Sequence, residues 1–470
     1  MRRAAAAAIA LLAFGGPPAR AAGSLEARLD AALARPTLRG AEVAALVVSA
    51  SDGRELYARA PDLPLTPASN QKILTALAAL EAFGPAHRFR TAVRADRPLD
   101  ASGAVGTLYV IGGGDPGLTA EEWWRLASEL RARGLARVRD VVLDDLAFDR
   151  MHWHPSWGAV SSRVYHAPVG ALGAAHGAFA VWVAAGARPG DPVAVRVDPP
   201  VSYFEVVNRA RTGPRGARYR LRVEREPGPA GERVVVSGSI PAGAPARPFP
   251  RSVLDPVRYA GAVLRLQLAA VGIQVDGEVR VAPAPVGASF VHDFFGPSLG
   301  ELLTPFLKFS QNDVGETLCK GLALQRGAGR GSFEAGAAAE RAILAGLGLP
   351  VDGGVVVDGS GLSPANRATP RLLVGALALA ERRFGLGPEL TAGLPIAGTD
   401  GTLRRRAKGA RGRVRAKTGL LSSVVALSGY AEGPSGELRI FSVLLNGLRG
   451  DVHGAMGALD AFAQALTEVP

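Results

Sequence analysis

The apolar positions near the start of the chain form two short runs separated by a polar turn. Residues 42–50 and 55–60 carry mainly Val, Ala and Leu, and a Ser-Asp-Gly turn lies between them at 51–53. This pattern predicts a β-hairpin. Pro67 then precedes a segment at 69–83 that is rich in Ala and Leu, and this composition predicts a helix.

A second group of apolar runs lies near the other end. Residues 412–418 and 424–432 predict adjacent strands, and the Gly-Pro-Ser-Gly turn at 433–436 leads to a third strand at 437–446. A final helix is predicted at 452–466. Together with the early hairpin, these elements predict an α/β (α+β) fold in which helices cover an antiparallel sheet.

The middle of the chain has a different pattern, in which short apolar runs are separated by Gly and Pro turns. One helix is predicted there, at about 119–134. The strands predicted in this part are 107–111, 138–143, 193–197, 219–225, 232–239 and 274–281. The sheet-forming segments at the two ends therefore enclose a large β-rich insertion, and the domain that they build is discontinuous.

Length and composition indicate the number of domains and the net charge. The chain has 470 residues, of which 48% are hydrophobic and 20% charged, so a globular protein of two or three domains is expected. Lysines and arginines number 54 against 42 acidic residues, which gives a net charge of +12. This charge suits an anionic partner such as the cell wall or a membrane surface. Codon bias towards Ala, Gly and Arg explains it equally well.

The first 21 residues have the pattern of a secretory signal. Arg2 and Arg3 precede an apolar run at 4–14 that is too short to span a bilayer, and Ala-Arg-Ala at 19–21 is a cleavage sequence. A signal peptide is therefore predicted over residues 1–21.

Three short motifs carry the candidate chemistry. In chain order they are Ser69-Asn70-Gln71-Lys72, Ser310-Gln311-Asn312 and Lys417-Thr418-Gly419. This order is typical of serine acyltransferases that recognise penicillin. The chain has only five lysines, and two of them occupy motif positions, which makes a chance match much less probable.

The residue types fit an acyl transfer. A helix places Ser69 and Lys72 on one face, and a neutral lysine is able to take the proton of the serine hydroxyl. Positive charge from Lys417 and Lys308 would help keep that lysine neutral. Ser310 would relay a proton to the leaving amine.

Further contacts are predicted around these groups. Asn312 would position the lysine and bind a substrate carbonyl, and Thr418 would bind a substrate carboxylate. Gly419 would let substrate backbone approach the strand edge. The backbone N–H groups of Ser69 and Leu420 would stabilise the oxyanion.

These motifs and several longer stretches resemble the class C low-molecular-mass penicillin-binding proteins, the D-alanyl-D-alanine carboxypeptidase/endopeptidase family of bacterial periplasms. The stretches that carry the resemblance over nearly the whole mature chain are 67–72, 112–116, 165–168, 358–363, 394–398 and 400–403.

The resemblance implies a transpeptidase-like domain with two further domains nested in its insertion. The predicted division is a signal peptide at 1–21, a D,D-peptidase domain at 22–92 and 286–470, an inserted domain II at 93–150 and 235–285, and an inserted domain III at 151–234. It also implies a periplasmic enzyme that cleaves peptidoglycan stem peptides and cross-links through an acyl-enzyme on Ser69. β-Lactams would be covalent inhibitors, and neither a metal nor an organic cofactor is expected.

One position departs from the family pattern. Thr or Ser usually follows the Lys-Thr-Gly motif, whereas Leu420 stands here. The backbone N–H survives the change, but a hydroxyl contact to the substrate carboxylate is lost. Ser422 or Arg367 would have to supply a replacement.

A glycine-rich stretch offers an alternative site. Gly112, Gly114 and Gly117 have the spacing of a dinucleotide-binding turn. Pro116 lies inside that turn, and no repeated βαβ pattern is predicted after it. A structural turn is therefore favoured over nucleotide binding.

Three further features of the sequence are candidate sites. His152, His154 and His166 lack an evident fourth metal ligand, so loop positions are favoured over a metal site. The segment 404–417 carries eight basic residues. A solvated surface is favoured there over an anionic partner, and nucleic acid is not expected. The single cysteine, Cys319, is expected to be a packed core thiol.

Three functions compete at this stage. The serine D,D-peptidase is favoured because Ser69, Lys72, Ser310, Asn312 and Lys417 are all intact. A catalytically inactive wall-binding protein of the same fold is the alternative from another class. A β-lactamase shares the motifs, but it needs rapid deacylation, and no additional carboxylate motif for positioning water is evident.

Overall fold

The computed structural model describes residues 23–469, so the predicted signal peptide lies outside the described residues. The helices are α1 (Leu25–Leu33), α2 (Gln71–Phe83), α3 (Ala120–Ala132), α4 (Pro256–Ala270), α5 (Leu299–Phe309), α6 (Asn312–Gln325), α7 (Phe333–Gly346), α8 (Pro370–Arg382), α9 (Gly387–Gly393) and α10 (Val452–Glu468).

The strands confirm the mixed α/β prediction. They are β1 (Glu42–Ser49), β2 (Glu55–Arg59), β3 (Arg88–Ala95), β4 (Ala104–Ile111), β5 (Arg137–Asp144), β6 (Ala178–Ala184), β7 (Ala194–Asp198), β8 (Phe204–Asn208), β9 (Arg211–Gly213), β10 (Arg220–Pro227), β11 (Glu232–Pro241), β12 (Arg247–Ser252), β13 (Gln274–Val275), β14 (Val279–Val281), β15 (Ser289–Ser298), β16 (Val414–Leu421), β17 (Val424–Glu432) and β18 (Leu438–Asn446).

The main sheet is antiparallel and joins the two ends of the chain. Its order is β16-β17-β18-β1-β2, and β1 pairs with β18 in a register that places Glu42 opposite Asn446. Alternate side chains of a strand point to opposite faces of the sheet. Helices cover both faces of the main sheet, so β1 is buried on both sides. The helices on one face include α2, α5, α6 and α8, and those on the other face are α1 and α10. Two hydrophobic clusters thus divide the strand between them, one containing Ala44, Leu46 and Val48 and the other Val43, Ala45 and Val47.

A second sheet carries the insertion on two neighbouring strands. β3 leaves the main domain and β15 returns to it, and the two pair antiparallel with Ala92 opposite Asp293. The sheet order is β13-β5-β4-β3-β15, and β14 also pairs with β5. β4 is parallel to β5 across α3, while β13 and β14 are parallel to β5 after α4. The chain therefore does contain a repeated βαβ pattern, and the expectation of none was wrong. The sequence hides the repeat because residues 145–255 are inserted between β5 and α4.

The remaining strands form two small sheets in the middle of the insertion. One contains β10, β11, β8 and β9, and the other has the order β12-β6-β7. The predicted domain boundary at 235 falls inside β11, which pairs with β10 along Arg220–Pro227. One hydrophobic cluster also runs from the second sheet into these strands. The rest of the predicted division stays a prediction.

One local prediction needs correction, and several elements were not predicted, among them the strands β3, β6, β8, β9, β12 and β15. The strand expected at 274–281 is two short strands, because a bend at Asp276 and Gly277 interrupts it. The helix α4 was not predicted, although Asp255 caps its N-terminus and Pro256 occupies the first turn. Along residues 23–469, no helix combines the length and hydrophobicity needed to cross a membrane.

Candidate active site

Ser69 lies in a tight turn that leads directly into α2. Residues Ala68–Asn70 form one turn of 3₁₀-helix after Pro67, so the predicted helix begins with this tighter segment. Ala68 has a φ of 47°, in the left-handed region that costs energy for a non-glycine residue. Gly361 packs against it so closely that a Cβ there would lie 1.9 Å from the Ala68 carbonyl oxygen.

Lys72 lies one helical turn after Ser69 and is fully buried. Its Nζ is 3.1 Å from Ser69 Oγ, 2.7 Å from Asn312 Oδ1 and 2.6 Å from the Ser360 carbonyl oxygen. A neutral amine has two N–H donors and one lone pair. With its donors on the amide and carbonyl oxygens, the lone pair faces the serine hydroxyl. This arrangement suits a general base.

Opposing effects act on the pKa of Lys72. Burial lowers this pKa to about 8, and the carboxylates of Glu316, Asp358 and Asp313 oppose the shift. Glu316 is itself fully buried and accepts hydrogen bonds from the backbone N–H groups of Gly359 and Ser360 at 3.0 and 2.9 Å. Burial raises the pKa of Glu316. The Glu316 carboxyl group therefore has two effects. It holds the loop that contacts Lys72, and its charge raises the pKa of Lys72.

Ser310 and Lys417 form a second serine–lysine pair. Ser310 ends α5 in a left-handed conformation with a φ of 59°, and Lys417 Nζ donates to Ser310 Oγ at 2.9 Å. Lys417 also donates to the Thr418 carbonyl oxygen at 2.9 Å and is fully buried. Burial, with a smaller effect from Lys72, holds the pKa of Lys417 well below its usual value. The three motifs thus meet as predicted.

Asn312 at the start of α6 connects Lys72 to the insertion. Its Oδ1 accepts from Lys72, as the motif predicted, and its Nδ2 donates to the Tyr165 carbonyl oxygen at 2.9 Å. One of the two N–H groups of the Asn312 amide is therefore already bonded within the protein, and only the other is available for a substrate carbonyl. Sequence reasoning assigned no role to Tyr165 beyond a matching stretch, although that match placed its segment in the family pattern.

β16 presents the last motif from the edge of the main sheet. The Ala416 N–H donates to the Pro395 carbonyl oxygen on the side away from β17. Because N–H directions alternate along a strand, the N–H groups of Thr418 and Leu420 point to that same side. Gly419 packs on the turn before Ser69, since a Cβ there would lie 2.8 Å from the Pro67 carbonyl oxygen.

Thr402 joins the predicted carboxylate site, which the motif analysis missed. Thr418 Oγ1 donates to Thr402 Oγ1 at 2.8 Å, which leaves the Thr402 hydroxyl proton free to bind an anion. Leu420 contributes no such group, and 53% of this residue is exposed. Ser422 lies in the turn between β16 and β17. The matching stretch at 400–403 was the available signal for Thr402.

Two supporting roles proposed from the sequence are not supported. Lys308 Nζ donates to Asp400 Oδ2 at 2.6 Å, so an adjacent carboxylate compensates its charge. Arg367 Nη1 donates to Thr66 Oγ1 and to the carbonyl oxygens of Pro364 and Asn366. Its guanidinium group therefore stabilises the loop at 364–367 and its contact with Thr66. It does not replace the hydroxyl group that Leu420 lacks.

The glycine-rich stretch packs against protein. A Cβ at Gly112 would lie 2.4 Å from the Ala171 carbonyl oxygen, and one at Gly114 would lie 2.6 Å from the Phe148 ring. A Cβ at Gly117 would meet Pro297 at 2.5 Å. The three glycines thus allow close packing against neighbouring protein atoms, which agrees with a structural turn.

The three histidines contact different partners. His152 Nδ1 lies 2.7 Å from the Val169 carbonyl oxygen, His154 Nδ1 lies 2.7 Å from Ser156 Oγ, and His166 Nδ1 accepts the Ser161 N–H at 2.9 Å. Among the described residues, no group of three or more His, Cys, Asp and Glu side chains has metal-site geometry. Cys319 is fully buried, which confirms the packed thiol.

Comparison with known proteins identifies the family. A model of the D-Ala-D-Ala carboxypeptidase 3 (S13) family matches residues 25–466. The chain belongs to this family. It is 38% identical over 460 residues to D-alanyl-D-alanine carboxypeptidase from Actinomadura sp. (strain R39), over 94% of this chain and 84% of that one. This S13 family member is therefore a serine-type D-Ala-D-Ala carboxypeptidase, and the predicted resemblance is confirmed.

A further relative agrees in sequence and fold. Identity is 29% over 395 residues to D-alanyl-D-alanine carboxypeptidase DacB from Haemophilus influenzae, covering 81% of this chain and 80% of that protein. The crystal structure of penicillin binding protein 4 (dacB) from the same organism matches with a TM-score of 0.80 and 25% identity, over 93% of this chain and 98% of that one. That protein has also been crystallised with a novel β-lactam.

Proposed function

We propose that Ser69 attacks the peptide bond before a D-alanine in peptidoglycan and becomes acylated. The bond to the leaving amine breaks, and water later hydrolyses the ester. The observation that carries this proposal is the 3.1 Å contact between Lys72 Nζ and Ser69 Oγ in a buried site with two further acceptors for the amine. A terminal D-alanine or a cross-linked strand would be the leaving group.

Lys72 acts first as the base that takes the serine proton. The leaving nitrogen then needs a proton, and Ser310, which is hydrogen-bonded to Lys417, is positioned to supply it. Burial lowers the pKa of Lys417, which makes proton exchange through this pair easier than for an exposed lysine. Two serine–lysine pairs thus divide the acid and base steps.

The substrate would bind as an added strand along β16. The N–H groups of Ser69 and Leu420 would stabilise the oxyanion, each contributing about 3–4 kcal/mol to the transition state. The Thr402 hydroxyl, which accepts from Thr418 Oγ1, would donate to the terminal carboxylate. Gly419 lets β16 pack closely on the turn at Pro67 and Ala68, which would hold the strand edge next to the nucleophile.

The wider setting follows from the family. We propose that β-lactams acylate Ser69, that the predicted signal peptide directs the protein to the periplasm, and that its positive charge favours association with wall or membrane surfaces. The inactive wall-binding alternative lacks support, because the motif groups are in contact. A β-lactamase shares the acylation step, but the match to the D-Ala-D-Ala carboxypeptidase 3 (S13) family favours the carboxypeptidase.

Labelling with a fluorescent penicillin tests the proposed function. The mature protein is expected to give a stable covalent band, and Ser69→Ala is expected to give none. Loss of the band with hydrolysed drug in solution would indicate a β-lactamase, and intact drug would indicate a binding protein. Digestion of purified muropeptides would then separate removal of terminal D-alanine from cross-link cleavage.

The rate of acylation is expected to rise with pH. Only the neutral amine of Lys72 accepts a proton, and its pKa is about 8. The second-order rate constant for penicillin should therefore climb about tenfold per pH unit below 8 and level off above it. Glu316 raises this pKa, so Glu316→Gln should move the midpoint to lower pH. A rate that stays flat from pH 6 to 8 would contradict Lys72 as the base.

A further inference from the structure

Two contacts from the insertion hold the first turn of α6. The Tyr165 carbonyl oxygen accepts from Asn312, and the next residue contacts His176, whose Nδ1 lies 2.9 Å from Asp313 Oδ2. An ionised carboxylate only accepts hydrogen bonds, so His176 Nδ1 carries the hydrogen and donates it. The first contact acts on a catalytic residue, whereas the second has no assigned role.

The start of α6 depends on such contacts because its own side chains do not cap it. The N-cap residue is Gln311, and its side chain makes no capping hydrogen bond. Among the described residues, Gln311 Oε1 is also buried without a hydrogen-bond partner. A helix N-terminus without a side-chain cap is less stable than a capped one. The position of Asn312 therefore depends on the residues that pack against this turn.

The pair of His176 and Asp313 is an internal contact. The two side chains are 28% and 13% exposed, so solvent screens the pair less than it screens a surface pair. A cavity of only about 30 Å³ remains beside them, and Asp115 and Thr317 also line it. This space holds about one or two water molecules, so it is too small for a larger ligand.

The backbone that presents His176 has an unusual conformation. Ala175 and His176 both have a positive φ, of 47° and 58°. Non-glycine residues keep this conformation only where the surrounding structure holds it, and such residues cluster at functional sites. Here the Ala175 N–H donates to the Leu118 carbonyl oxygen and the Val253 N–H donates to that of Gly177, each at 2.9 Å. The turn is thus held on both sides while its histidine contacts α6.

We propose that His176 is a positioning residue for the acylation of Ser69. By holding Asp313, it keeps the neighbouring amide of Asn312 where Lys72 needs an acceptor. That hydrogen bond is 2.7 Å long, so a displacement of about 1 Å would break it and leave the amine free to rotate away from the serine hydroxyl. The proposal rests on the proposed function, because it concerns the step in which Lys72 is the base.

Removal and replacement of the imidazole test this role. His176→Ala removes the donor and is expected to slow penicillin acylation about tenfold. His176→Asn should return the rate to within about threefold of the wild-type rate, because asparagine tolerates a positive φ and its amide offers an N–H near the position of Nδ1. A rate for His176→Asn as low as that for His176→Ala would overturn the proposal.

The conditions separate positioning from a change in charge. Acylation by fluorescent penicillin is measured at pH 9, where Lys72, with a pKa of about 8, is mostly neutral. A lower rate at this pH therefore does not reflect a smaller fraction of neutral base. Thermal melting gives the folded fraction of each variant, and rates are compared per folded molecule.

A double variant shows whether His176 acts through Asp313. Asp313→Ala alone should also slow acylation about tenfold, and the variant with both alanines should be no slower than either single variant, because one contact is lost in all three. Independent effects would multiply to a loss of about 100-fold, and that result would contradict the proposed route.

A similar pair in the second sheet is the matched control. His292 Nε2 lies 2.6 Å from Glu129 Oε2 and joins β15 to α3. His292→Ala should lower the melting temperature and leave the acylation rate of folded molecules unchanged. A normal rate for His176→Ala, or an equal loss for both histidine variants, would show that His176 has no special role. A wild-type protein that fails to label would instead refute the catalytic proposal itself.

Discussion

Lys72→Met is expected to lower the rate of penicillin acylation about 1,000-fold. Methionine keeps a long unbranched chain in a fully buried position but removes the amine that contacts Ser69 Oγ. Loss of a positioned general base typically costs 10²- to 10⁴-fold, so about 1,000-fold is the central expectation. The measurement is the second-order labelling constant with fluorescent penicillin.

A second buried lysine supplies the matched control. Lys320 is fully buried and donates to Asp149 Oδ1 at 2.6 Å and to the Met151 carbonyl oxygen at 2.8 Å. Lys320→Met should therefore destabilise the fold without removing the base. Thermal melting identifies the folded fraction of each variant. If the two substitutions slow acylation equally among folded molecules, the special role of Lys72 is wrong.

Asp358→Ala is expected to reduce the free energy of unfolding by about 4 kcal/mol or more, since it leaves several buried donors unpaired. Oδ1 of this fully buried aspartate accepts from the Gly361 N–H and from Asn366 Nδ2, both at 2.7 Å. Oδ2 accepts from the Ser363 N–H at 2.6 Å and from Trp157 Nε1 at 2.8 Å. Urea unfolding measures the loss.

The same substitution should also slow acylation above pH 8, where Lys72 is already neutral and loss of the Asp358 charge no longer changes the fraction of neutral base. The loop that Asp358 organises carries Ser360, whose carbonyl oxygen holds Lys72. Asp352 is a suitable control because its side chain is fully exposed, and Asp352→Ala should change stability by less than about 0.5 kcal/mol. A stable Asp358→Ala protein that labels at the normal rate would show that the loop keeps its shape without this carboxylate.

The sequence predicted the reacting groups because their chemistry is tied to short motifs. Ser69 and Lys72 are three residues apart, so helix geometry alone brings them together. The short apolar runs bounded by turns likewise predicted β1 and β18. Their pairing followed from the expectation of one antiparallel sheet rather than from any local signal.

The supporting residues were less accessible to sequence reasoning. Tyr165 reaches Asn312 from 147 positions away, and Thr418 reaches Thr402 across a turn that no periodicity describes. Glu316 and Asp358 are buried carboxylates, and burial of charge is the opposite of what their residue type predicts. Only the folded chain shows that their oxygens are satisfied by backbone N–H groups.

The pairing of β1 with β18 has a consequence for the order in which the molecule matures. β1 lies between β18 and β2, so it lacks one neighbour until residues 438–446 have been synthesised. Contacts this distant in sequence form slowly, because a long loop must close before they gain energy. The main sheet against which α2 packs is thus completed only when the last strand of the chain has been synthesised. A chain that ends before β18 would contain every catalytic motif but would be inactive.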